Sequence, residues 1–134
     1  MRFKNAVKVL IISVICTSCV NKFDKILQQE AAQYTANNCP QEAEPGTQLD
    51  SLVYNPQERI YTMYYSVSGA NEVIMREQIP LLHHLLCQRL IDNADYKEIK
   101  DNGVTFAYVY RSKQTGATFY QTEIRSNERS EEHT

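Results

Sequence analysis

The chain has 134 residues with a formal net charge of −2, and it is 43% hydrophobic and 22% charged. That length allows one ordinary domain and leaves little room for a second core, and a composition with only four Gly and four Pro belongs to a chain that folds. The basic residues Arg2, Lys4 and Lys8 all precede Cys19, which leaves a net of about −5 beyond it with no Lys/Arg cluster, so nucleic acid is excluded as a partner.

Met1 to Lys8 carry three positive charges, and Val9 to Ile15 form an apolar run broken only by Ser13. This is the layout of a signal peptide. A membrane-spanning helix needs roughly 20 apolar residues, and this run is far shorter. The stretch Ile15-Cys16-Thr17-Ser18-Cys19 that follows resembles the lipobox of small bacterial cell-envelope lipoproteins, with small residues just before a cysteine. Cys16 departs from that pattern, where Leu is usual, and Ile15 is too bulky to precede an acceptor, which leaves Cys19. The resemblance implies removal of residues 1–18 and several acyl chains on Cys19, enough for stable anchoring. No aspartate stands beside Cys19, so the expected place is the outer membrane facing the periplasm rather than the inner membrane.

Phe23, Ile26, Leu27, Ala31 and Tyr34 recur at three- and four-residue spacing and predict an amphipathic helix, capped by Asn21 or Asp24 and stopped by Asn37-Asn38-Cys39-Pro40. Gln41 to Thr47 read as a loop. A hairpin is expected next, from Gln48–Tyr54 and Arg59–Val67 joined at Asn55-Pro56-Gln57-Glu58, with Tyr61, Met63, Tyr65 and Val67 on its core face. Glu72 to about Lys100 is a second helical region with a stripe of Met75, Ile79, Leu82, Leu86 and Leu90, where Pro80 marks a kink or a fresh start and Gly103 a left-handed end. Val104–Arg111 and Ala117–Arg125 form a second hairpin, and Ser126–Thr134 are expected to fray. The predicted fold is α+β: helix, hairpin, helix, hairpin, giving a four-stranded antiparallel sheet with both helices on one face. The domain limits are 1–18 for the signal peptide, 19–125 for the single folded unit and 126–134 for a polar tail.

Once Cys16 is removed and Cys19 acylated, Cys39 and Cys87 are the remaining thiols, and in an oxidising compartment they predict a disulfide. His83 and Cys87, four apart, share a helix face, but His84 points about 100° away. Two aligned ligands fall short of the three or four that zinc takes, so no metal and no cofactor are predicted. No nucleophile elbow, phosphate loop or His-Glu-x-x-His motif is present, and no catalytic residue is assigned.

The chain holds nine Tyr and no Trp, and most of the tyrosines fall in predicted strands. Strand propensity accounts for much of this. A sheet with helices on one face leaves the other in water, however, and tyrosine there brings contact area with a polar handle. Tyr64, opposite the Met63 set, is the first candidate binding residue. Tyr108 and Tyr110 are further candidates, and the exposed face of the second hairpin stays open because Val104, Phe106, Tyr108 and Tyr110 compete with Ala107 and Val109. The expected function is a non-enzymatic, lipid-anchored envelope protein that binds another protein, as an assembly accessory or as an inhibitor of the immunity type. A small-ligand binder with a pocket between helices and sheet is the alternative, and an enzyme ranks below both.

Overall fold

The computed structural model describes residues 20–131, with side chains up to residue 128. Cys16, Cys19 and the acylation expected at Cys19 lie outside the described residues. Helix α1 (Lys22–Asn38) leads into strands β1 (Gln41–Glu44), β2 (Thr47–Asn55) and β3 (Ile60–Val67). Helices α2 (Gly69–Glu77) and α3 (Ile79–Asp92), a 3-10 turn at Ala94–Tyr96 and the short helix α4 (Lys97–Asp101) carry the chain to β4 (Thr105–Ser112) and β5 (Thr118–Ile124), and α5 (Ser126–Glu131) follows.

The class is α+β as expected, but the sheet has five strands in the order β1-β2-β3-β4-β5 and is mixed. β3 and β4 run parallel, with Tyr61 beside Phe106, Met63 beside Tyr108 and Tyr65 beside Tyr110, and all other pairs are antiparallel. The four-stranded antiparallel sheet is therefore corrected on two points. The helical segment between Val67 and Thr105 is long enough to return the chain to the start of its neighbour, which is what a parallel pair requires. The extra strand β1 pairs with the start of β2 through a turn at Pro45-Gly46, where Gly46 has φ 84°. A Cβ on Gly46 would run into Asn71 and Ser68 at the start of α2, so this turn is closely clasped as well as left-handed.

Asn21 caps α1, its Oδ1 accepting from the Asp24 N–H at 2.9 Å. Beyond the reach of β1 the outer edge of β2 is exposed to α1. There the Thr35 hydroxyl accepts from the Leu52 N–H at 2.9 Å and donates to the Leu52 carbonyl at 3.0 Å, so a helix side chain satisfies the backbone groups that a strand would otherwise take. Pro80 begins a new helix rather than kinking one, and Gly103 adopts φ 73°.

The core lies on the helix-covered face. Tyr54, Tyr61, Met63, Val67, Phe106, Tyr108, Tyr110 and Ile124 from the sheet meet Leu27 and Ala31 of α1 and Leu86, Cys87 and Leu90 of α3. The expected core face of β3 is the observed one, and on the second hairpin the set containing Phe106 is the inward one. Residues 126–131, expected to fray, instead form α5 packed against α3. No helix among the described residues is long and apolar enough to cross a membrane.

Candidate functional site

α1 packs along β2, while α3 leans towards β5 and α5. The two helices leave the middle of the sheet between them less covered, and a groove opens there. Its inner part, about 140 Å³, is lined by Met63, Tyr65, Arg89, Asn93, Tyr96 and Tyr110, with Tyr108 and two leucines of α3. It continues into an outer part of about 320 Å³ between the β1–β2 turn and helices α2 and α3, where Glu44, Thr47, Ile74, Met75, Leu82 and Leu85 form the walls. Leu86, Arg89 and Tyr110 border both parts, so the two read as one channel along α3. Ile74 and Leu85 are 53% and 41% exposed on its lip.

The groove is unusually rich in phenol rings. Tyr65 stacks on Tyr110, Tyr96 packs edge-on against Phe106 and tilts against Tyr61, and Tyr110 meets Tyr120. The hydroxyls of Tyr65 and Tyr96 both point at the Met63 sulfur, at 3.8 and 3.9 Å. A thioether is a weak acceptor, so neither group has strong hydrogen bonding there. Burial pushes the Tyr65 hydroxyl up to about 12, with the nearby Tyr96 adding to the effect and Arg89 opposing it. Burial likewise raises Tyr61, Tyr108 and Tyr110 well above the ordinary range. Arg89 makes no ion pair among the described residues, although it favours ionisation of Tyr65, Tyr108 and Tyr110 alike.

The expected binding tyrosines divide between two faces. Tyr64 lies on the open face as expected, half-buried, with the Arg111 guanidinium 5.4 Å from its ring centroid. Tyr108 and Tyr110 do not join it: both are buried on the helix side, 5% and 6% exposed, because β4 follows the parity of Phe106 in its parallel register with β3. They line the groove instead. The open face also holds a broad trough of about 520 Å³, bordered by Val53, Ile60, Thr62, Tyr64, Val109 and Glu123 among others.

The expected Cys39–Cys87 disulfide is not formed: both cysteines carry reduced, unbridged sulfurs. Cys39 ends α1 beside the edge strand β1, whereas Cys87 lies on the side of α3 that faces β5, so most of the sheet's width separates them. Cys87 instead sits with His83 and Glu128, their potential ligand atoms all within 4.8 Å of one another. His83 Nε2 lies 2.5 Å from Glu128 Oε2 and Nδ1 lies 2.6 Å from the Thr122 hydroxyl. Burial works against the charged form of Glu128, but hydrogen bonds from the Arg125 N–H and from His83 outweigh it and hold the carboxyl below its usual range. Sequence reasoning paired His83 with Cys87 but missed Glu128, since it lies in a polar stretch with no apolar period to mark a packed helix.

An α+β domain with a groove between two helices over a mixed sheet is thus what the fold and site define. Residues 22–120 match the family described as Domain of unknown function (DUF8479), and the chain belongs to that family. No curated protein matches the sequence. Among solved structures, the chain is similar to a protein described as secreted from Pseudomonas aeruginosa, with TM-score 0.67 and 13% identity over 78% of this chain and 90% of that one. It is also similar to two type II secretion system pilotins. EpsS from Vibrio vulnificus matches with TM-score 0.55 and 9% identity, over 79% of this chain and 90% of that one. AspS from Vibrio cholerae matches with TM-score 0.56 and 9% identity, over 84% of this chain and 97% of that one. At such identities the likeness is one of fold.

Proposed function

We propose that this chain is a lipid-anchored accessory protein of the bacterial envelope that holds a segment of a partner protein in the tyrosine-lined groove. The groove carries the reading. It is open, it joins a polar, phenol-lined inner part to an outer part with the aliphatic walls Ile74, Met75, Leu82 and Leu85, and it has a guanidinium at the junction of the two without an ion-pair partner among the described residues. A partner segment with an apolar face and one acidic side chain opposite Arg89 would match it. Rigid phenol rings supply contact area at small entropic loss, and hydroxyls held only by a thioether are available for better acceptors. The occurrence of the same fold in two pilotins supports an accessory role over a catalytic one.

The anchor is part of the same proposal. The basic start, the short apolar run and the lipobox-like residues before Cys19 favour export and acylation. α1 begins at Lys22, so a lipid on Cys19 would hold the domain close to the bilayer. The outer membrane, facing the periplasm, is the proposed location.

The experiment is capture of the acylated protein from its own membranes after mild crosslinking, with mass spectrometry of bait and companions. The bait mass reports the lipid on Cys19. A stoichiometric protein crosslinked to residues around Leu85 and Ile74, lost in Leu85→Glu and kept in Tyr64→Ala, supports the groove. Crosslinks confined to the open face, with capture lost in Tyr64→Ala, would move the partner to the other side of the sheet.

A further inference from the structure

Away from the groove, α3, β5 and α5 bring together four side chains from three elements. His83 and Cys87 are one helical turn apart on the same side of α3, Thr122 rises from β5, and Glu128 reaches across from α5. An imidazole nitrogen, a thiol sulfur and a carboxylate oxygen lie within 4.8 Å of one another. We propose that His83 Nε2, Cys87 Sγ and Glu128 form a three-residue site for a zinc-class divalent ion.

The donor set is the first argument. Nitrogen, sulfur and carboxylate oxygen together suit borderline-soft Zn2+, whereas Mg2+ and Ca2+ take oxygen alone. Three protein ligands leave one tetrahedral position for water or an exogenous group. Cys87 is only 2% exposed, and its neighbours in the cluster are partly open to solvent, so the ion would enter from the His83 and Glu128 side.

Thr122 is the second argument. A metal-bound imidazole ordinarily has its other ring nitrogen fixed by a hydrogen bond, which sets the tautomer. Here Nδ1 already meets the Thr122 hydroxyl at 2.6 Å, leaving Nε2 turned towards Glu128 at 2.5 Å. A hydroxyl can either donate or accept. In the metal-free protein it donates to Nδ1 while Nε2–H donates to Glu128. When the ion replaces the Nε2 proton, Nδ1 carries the hydrogen and donates to Thr122. Binding also releases the Cys87 thiol proton to solvent as the thiolate forms. Metal–ligand distances of about 2.0 to 2.3 Å require ring and carboxylate to separate by about 1 Å, a movement that an outer helix such as α5 can supply.

The consequence is structural: the ion would staple α5 to α3. The test uses the full acylated protein in detergent, stripped of metal and kept reduced, titrated with Zn2+ against a chromophoric chelator and separately with Co2+. The expected result is one ion per chain, a thiolate-to-cobalt charge-transfer band, and loss of that band in Cys87→Ser but not in Cys39→Ser. Glu128→Gln and His83→Ala should each weaken zinc, and Thr122→Val should do so about 10-fold or more by releasing the ring. Glu128 is on the outer helix, so its variant keeps the test valid if the Cys87 variant does not fold. No competition with the chelator, or binding indifferent to Cys87→Ser and Glu128→Gln alike, would overturn the site.

Discussion

Tyr65 and Tyr110, partners across the parallel β3–β4 ladder, lie ring on ring with centroids 4.9 Å apart and planes 10° from parallel. The stack forms the floor of the groove at the place where neither α1 nor α3 covers the sheet. An offset aromatic pair contributes about 1 kcal/mol beyond its buried area. Tyr65→Phe keeps both ring and stack, and its stability should stay within about 0.5 kcal/mol of the parent. Tyr65→Ala should cost about 2 kcal/mol in denaturant unfolding and also lower partner recovery in the capture experiment. Recovery that is unchanged in a folded Tyr65→Ala protein would mean the floor is not a contact surface.

The edge of β2 gives a second prediction. Thr35 is the sole side chain seen to serve both the N–H and the C=O of Leu52, among the described residues. Thr35→Val preserves shape and removes both bonds, leaving two backbone groups beneath a helix without partners. The expected loss is about 2 kcal/mol, with Thr35→Ser restoring most of it. Equal stability of the Val and Ser variants in urea would show that water takes over at this edge.

Much of the fold could be read from particular residues. Asn21, the Asn37-Asn38 stop and Gly103 bound their helices through local backbone chemistry, which sequence carries directly. The inward set of β3 follows from strict alternation. What escaped lay in pairing and in polar segments. Gln41–Glu44 has only one apolar residue and all four are exposed, so nothing in its pattern distinguishes an edge strand from a loop. The parallel pairing of β3 with β4 depends on where a long helical crossover delivers the chain, and the inward set of β4 depends on that register. Alternation alone leaves open which face of the second hairpin is exposed, and the register places the binding candidates Tyr108 and Tyr110 in the groove rather than beside Tyr64. The Cys39–Cys87 disulfide failed for the same reason, since sheet order sets the separation. Glu128 joined the site through α5, a helix held by contacts its own sequence does not announce.

Asp24 binds α1 to the β2–β3 turn. Its carboxylate is 3% exposed, accepts from the Tyr54 hydroxyl at 2.6 Å and pairs with Arg59 Nε at 3.1 Å. Arg59 itself has φ 57° and is partly open to solvent, which screens the pair. Most of the stabilisation therefore comes from the buried hydrogen bond to Tyr54. Asp24→Ala leaves that hydroxyl without its partner and should cost about 2 to 3 kcal/mol. Tyr54→Phe, which removes the hydroxyl but keeps the Arg59 pair, should cost less. A double variant that loses no more than Asp24→Ala alone would locate the energy in that one bond.

The tyrosines of the core predict how the fold responds to alkali. Burial, the hydrogen bond to Asp24 and its charge push Tyr54 up to about 12, and burial does the same to Tyr65. Their ordinary value is 10.0, which describes the unfolded chain. Above that value the unfolded state gives up protons that the folded state retains. Stability is therefore intact below about pH 10 and falls as pH rises towards 12. Tyrosinate absorbance should accordingly rise in two phases, the later one coinciding with loss of the fold. Tyr65→Phe removes one late group and should lessen the alkaline loss measured by urea midpoints across that interval. A single phase near pH 10 in a chain that stays folded would show instead that water reaches the phenols freely, and the groove would then offer a partner far less desolvation on docking.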